Sequence, residues 1–195
     1  MPSFRDLRRL APALAGIAVL AFAVPGSVLA GSALTPPPPA GARCESGPTG
    51  TVCFATVTFQ TPGPLPYGVS CNGSPVLVQL TSERRFKYTY DAAGHLLETV
   101  MHAEYTGALR NRDTGTSVPH VGHFTVTTNL RDGTTTITGM LSRTVVPGEG
   151  IVWRNIGRIV IATASGTVLS DAGEHDTFAV LTDPSVAAAL CSALT

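Results

Sequence analysis

The sequence predicts a mainly β protein: an antiparallel meander that closes as a small barrel or packs as a sandwich, followed by one C-terminal helix. Three observations predict it. From Cys71 to about residue 170, apolar and polar residues alternate at a period close to two. Turn signals (DAAGH, NRDTG, RDGT, PGEG and ASG) interrupt that alternation at short intervals. The end of the chain then changes to a spacing of four.

Residues 1–30 read as a signal peptide. Arg5, Arg8 and Arg9 precede an apolar run over 11–24, which Pro25 and Gly26 break. Val28 and Ala30 are small enough for cleavage after Ala30. The run falls short of the roughly 20 residues that cross a bilayer. The remainder is therefore expected to be secreted or extracytoplasmic, with no membrane span once the signal is removed. Residues 31–43, GSALTPPPPAGAR, are expected to form a disordered proline-rich linker. Residues 44–195 are expected to form a single β-domain. Without the first segment the chain has a slight acidic excess and no basic patch. Its one cationic cluster is Arg84, Arg85 and Lys87, and a strand would place Arg85 and Lys87 on one face and Arg84, Phe86 and Tyr88 on the other. That is a solvated strand face, so no nucleic-acid partner is expected.

All four cysteines lie in the β-domain, and four allow three pairings. An even count in an exported chain reads as two disulfides. Cys44–Cys53 would close a small loop turned by GPTG at 47–50, and Cys71–Cys191 would tie the start of the strand pattern to the last helix. No C-x2-C pair suggests zinc.

The strands follow in order. Residues 51–60 alternate, and 61–68, TPGPLPYG, form a connection too rich in proline for a regular element. Residues 75–91 make one long or two short strands, and 95–109, 121–130, 134–146, 151–164 and 167–170 supply the rest, rich in Val, Ile, Thr and aromatics. Asn72-Gly73-Ser74 is a glycosylation acceptor tripeptide weakened by Pro75. Glycines at 107, 122, 139 and 157 inside strands favour a coiled sheet. The helix spans 183–194, with Asp183 as N-cap, Pro184 at the first helical position, and Val186, Leu190 and Leu194 on one stripe.

Three groups are candidate sites. His120 and His123, in PHVGHF, are three apart, so an extended strand points them to opposite faces; only a bulge at Gly122 would join them in a metal site. No metal or cofactor is expected. Glu98, His102 and Glu104 share one face and are the speculative ligand-binding residues. They would serve if that face looked into a barrel, but Leu97, Met101 and Tyr105 on the other face compete for the interior. Asp171, Glu174, His175 and Asp176 are expected in a solvated loop that matches no calcium-binding spacing. No nucleophile elbow, zincin helix or phosphate loop occurs, so no catalytic residue is assigned.

The segments CNGSPVLVQL, TGALRNRDTGTSV, DGTTTITGMLSRTVVPGEGIVWRNIGRIVI, AGEHD and LCSAL resemble a group of small exported actinobacterial proteins of unassigned function, over about residues 71–194. The resemblance implies a single β-domain with Cys71 paired to Cys191, and it carries no catalytic residue across. The expected role is a non-catalytic β-barrel that binds a small apolar ligand or a cell-surface component. The alternatives are an envelope or interaction protein acting through its outer surface, or a barrel-type cyclase or isomerase.

Overall fold

Alternation along the longest strand decides which face of the sheet becomes the interior. In the computed structural model, which describes residues 33–61, 65–146, 150–175 and 184–195, nine strands precede one helix. They are β1 (Arg43–Gly47), β2 (Gly50–Gln60), β3 (Leu65–Cys71), β4 (Ser74–Asp91), β5 (Leu96–Asn111), β6 (Ser117–Asn129), β7 (Thr134–Val146), β8 (Gly150–Ala162), β9 (Val168–His175) and α1 (Pro184–Leu194). Every neighbouring pair is antiparallel, in the order β1-β2-β4-β5-β6-β7-β8-β9, with β3 also on β4. The expected meander and C-terminal helix are therefore present.

Along β4, Ser74, Val76, Ser82 and Tyr90 are buried, whereas Gln79, Thr81, Glu83, Arg85 and Lys87 are exposed. The even-numbered residues face inward. This strand is long enough to hold two partners on one edge: β2 pairs residues 81–91, and β3 pairs 74–78. Between them the buried Thr61 fills the ladder, its hydroxyl accepting a hydrogen bond from the Leu80 amide at 3.1 Å.

Several elements differ from expectation. The proline-rich connection ends earlier than residue 68, because β3 begins at Leu65. Pro66 has no amide to donate and is accommodated because β3 is an edge strand. Asn72 and Gly73, with φ of 50° and 83°, form the two-residue hairpin that joins β3 to β4. β1 is an additional strand, and its Cys44 lies directly opposite Cys53. β9 runs to His175, so most of the expected 171–176 loop is strand; Asp176 and the expected N-cap Asp183 lie outside the described residues.

The expected barrel closure is not formed. Among the described residues β9 pairs only β8, and β1 and β3 have no second neighbour, so the sheet is open. One sheet holds all the strands among the described residues, so they do not form the two separate sheets of a sandwich. A helix covers one end of the inner face instead. α1 packs on β3, β6 and β8, and its Leu190 and Leu194 join Val69, Cys71, Val76, Leu109 and Val118 in the core cluster. Strands as far apart in the sheet as β3 and β8 reach one helix only if the sheet coils strongly. A row of glycines permits this: Gly139 on β7, Gly157 on β8 and Gly173 on β9 are mutual partners. Gly139 and Gly173 have φ of 120° and 127°, and a Cβ at Gly173 would meet the Ile156 carbonyl.

Both expected disulfides are present, Cys44–Cys53 within the β1–β2 hairpin and Cys71–Cys191 between β3 and α1. The start of the proline-rich segment is not free of contacts. Thr35 bridges His95 beside the β4–β5 turn, and the buried Tyr90 hydroxyl donates to the Pro36 carbonyl at 3.0 Å. No helix among the described residues is long and apolar enough to cross a membrane.

Candidate functional site

The helix covers only one end of the inner face. Beyond it the coiled sheet leaves an open concavity of about 410 Å³. Register explains its lining. Leu80 on β4 lies in the same cross-strand row as Gly107 and His120, and Ser82 in the row of Tyr105 and Gly122. The next row holds Arg84, Ala103, Phe124, Gly139, Gly157 and Gly173. Val78, Leu80, Phe124 and Leu141 give the concavity apolar walls, and Ser82, Ser142 and Asn155 give it polar points.

Tyr105 and His120 anchor its floor. The Tyr105 hydroxyl donates to the Leu141 carbonyl at 2.6 Å and lies 3.3 Å from His120 Nε2. A phenol has one proton, so with that proton on Leu141 the imidazole Nε2–H is the donor to Tyr105. His120 Nδ1 then accepts from the Thr144 hydroxyl, 3.0 Å away and fully buried. Burial pushes the His120 pKa down to about 4, so the ring is neutral at neutral pH. Burial also raises the Tyr105 pKa well above the usual tyrosine value, opposed in part by a Ser142 hydrogen bond.

PHVGHF lies in β6, and its two histidines face opposite ways. His120 is 3% exposed on the inner face, while His123 is exposed outside. A bulge does interrupt this region, but on the neighbouring strand: Leu141 is the extra residue in β7, opposite Gly122. β6 itself keeps unbroken register with β5. A metal site shared by the two histidines is therefore excluded by geometry, and no metal-binding group of three or more side chains occurs among the described residues. Gly122 has another reason to be glycine. A Cβ there would enter the space of the Tyr105 ring and the Leu141 carbonyl.

Glu98, His102 and Glu104 do not line the concavity. His102 and Glu104 are exposed on the outer face of β5, where His102 meets the Thr125 hydroxyl at 2.9 Å and Glu104 lies 3.9 Å from Arg85. Glu98 is half-buried and opposite Thr89 and Asn129. Ala103 and Tyr105, on the alternate positions, take the interior. On β9, Glu174 pairs with Arg154 across the strands.

One lining residue falls in the cationic cluster that the sequence assigns to a solvated strand face. Arg84 points into the concavity, and its guanidinium lies over the Phe59 ring, 5.5 Å from the centroid. Strand parity separates it from Arg85 and Lys87, and that parity is the sequence signal for its inward position. Compared with family models, with curated proteins and with solved structures, the chain matches none.

Proposed function

We propose that the protein is exported and non-catalytic, and that it holds a small apolar ligand against the concave face of its sheet. One observation carries this reading: the apolar wall stays open to solvent where an ordinary core would be covered. Val57 and Phe59 on β2 are inward neighbours of Arg84 and Ser82, yet they remain 46% and 41% exposed. They continue the wall of Val78, Leu80, Phe124 and Leu141 into a concavity whose volume falls in the roughly 300–1,000 Å³ range of small-molecule sites. A few fixed polar groups amid apolar walls suit a ligand that is mostly hydrocarbon. The protein does not need a closed barrel for this role, since the coiled sheet and α1 already shape the cleft.

Export is supported by the N-terminal pattern and by two disulfides, which persist in oxidising compartments. The resemblance to small exported actinobacterial proteins agrees with it. The outer face supports a partner surface less well. Phe54 and Ile156 stand on strands far apart in the sheet, and the other exposed apolar side chains outside the concavity, Leu130, Val168 and Leu169, lie at or beside its turns.

The test is titration with a neutral solvatochromic dye, Nile red. Saturable blue-shifted emission is expected from the oxidised chain, weakened by Phe59→Ser and Leu80→Gln. A response that never saturates, or that both variants leave unchanged, counts against the cleft. A mature N-terminus at Gly31 in culture supernatant, read by mass spectrometry, is the expected sign of export.

A further inference from the structure

Among the described residues that line the concavity, Arg84 alone carries a formal charge at neutral pH, because His120 is held neutral. Its position is unusual for a surface arginine. Arg85, the next residue on β4, faces outward and meets Glu83 and Glu104. Arg84 faces inward, and no carboxylate among the described residues pairs with it. Its Nε is buried with no hydrogen-bond partner. The guanidinium carbon lies over the Phe59 ring, 5.5 Å from its centroid, a cation–π contact that holds the charged head at the cleft. Thr89 Oγ1 and Arg143 Nε are also buried without a partner, but of the three only Arg84 lines the concavity, where a ligand can supply the acceptor.

We infer that Arg84 receives the head of an amphipathic monoanion, a medium-chain carboxylate whose hydrocarbon tail lies along the apolar wall. The inference rests on the proposed ligand-binding cleft and names the chemistry of its ligand. A carboxylate matches the fork of a guanidinium with two parallel hydrogen bonds. One cation compensates one negative charge, so a dianionic phosphate would remain underneutralised. The tail has a continuous path. Phe59 and Val57 flank Arg84 on β2, and Leu80, Phe124 and Leu141 continue inward from it. Ser82, one inward position along β4, offers a hydroxyl between the head and Tyr105.

The experiment compares decanoate with decanol by calorimetric titration at neutral pH, on the oxidised full chain and on the Arg84→Gln, Arg84→Lys and Lys87→Gln variants. Decanoate is expected to bind the unmodified chain tighter than decanol by tenfold or more, the scale of a charge-assisted hydrogen-bonded pair, roughly 1.5–3 kcal/mol. Arg84→Gln should erase that ratio by weakening decanoate far more than decanol. Arg84→Lys should restore part of it. Lys87→Gln changes an outward cation on the same strand and should leave the ratio intact. Equal affinity for the two probes in the unmodified chain overturns the carboxylate assignment while the apolar cleft stands. A ratio that Lys87→Gln reduces as much as Arg84→Gln overturns it too, since the preference is then a general field. If neither probe binds, the cleft itself is wrong. Should Arg84→Gln fail to fold, the decanoate-to-decanol ratio of the unmodified and Lys87→Gln proteins still decides.

Discussion

At Gly122 the absence of a side chain is what seats Tyr105, and two predictions follow from that contact. Gly122→Ala must displace the phenol ring or the Leu141 carbonyl, since both occupy the space a Cβ needs. Overpacking and the lost Tyr105–Leu141 bond together should cost about 2–4 kcal/mol, read as a lower urea midpoint. Tyr105→Phe keeps the ring but removes the hydroxyl and with it the contacts to Leu141, His120 and Ser142, and should cost about 1–3 kcal/mol. The second prediction concerns pH. The folded pKa of His120 is about 4, below the ordinary 6.5, so the unfolded chain binds more protons between those values. Its contribution is complete above about pH 6.5 and is lost as pH falls toward 4. Stability should drop by roughly 3 kcal/mol over that window. His120→Gln should flatten the slope there and leave the loss below pH 4, where Asp91 and Asp113, both held below the usual carboxylate value by hydrogen bonds, become protonated. Parity alone separated His120 from His123 in the sequence. The link from Tyr105 to His120 was not legible, because it depends on a register that no local signal specifies.

Strands were legible where one face is buried and hidden where neither is. β4 to β8 alternate because their inner residues meet α1 or the concavity. β9 alternates weakly, with Asp171 and Glu174 both exposed, so its charges resembled a loop. β3 was masked by its prolines, although Asn72-Gly73 before an apolar run is a strong hairpin signal. The helix was legible through spacing, and its attachment through cysteine count. Cross-link entropy ranks the two disulfides. Cys71 and Cys191 are 120 residues apart and Cys44 and Cys53 only 9, so removal should cost about 5 and about 3 kcal/mol respectively. Paired Cys→Ala variants in urea unfolding check the order. The Cys71–Cys191 loss should also free α1, because its Leu190 and Leu194 then hold the core by packing alone. On the outer face of β5, His102→Ala and Glu104→Ala remove exposed groups and should stay within about 0.5 kcal/mol, with decanoate affinity unchanged. A loss of binding in either variant would move the site to the outer face.

For the whole molecule, the question is how a sheet that never closes still makes an interior. Period-two alternation, closely spaced turn signals and glycines inside the strands were enough to predict a mainly β protein with a coiled sheet. They could not show closure, because closure is a hydrogen-bonding relation between strands at opposite ends of the chain. Here α1 covers one end and the glycine row coils the rest; among the described residues β9 is attached along a single edge and, unlike the edge strands β1 and β3, carries no disulfide. β9 should therefore be the least cooperative part of the sheet. Gly173→Ala tests this. The residue has φ of 127°, and the added Cβ would meet the Ile156 carbonyl, so the strand cannot accept alanine without leaving the ladder. Backbone strain and the clash should amount to about 2–4 kcal/mol, borne locally. Hydrogen exchange should then show β9, and the amides of β8 that face it, losing protection, while β4, β5 and β6 keep theirs. Decanoate binding should survive, because the cleft is built from β2 and β4 to β8. Equal loss of protection in all strands would mean that β9 belongs to one cooperative unit with the core, and that the open edge is held as firmly as a closed one.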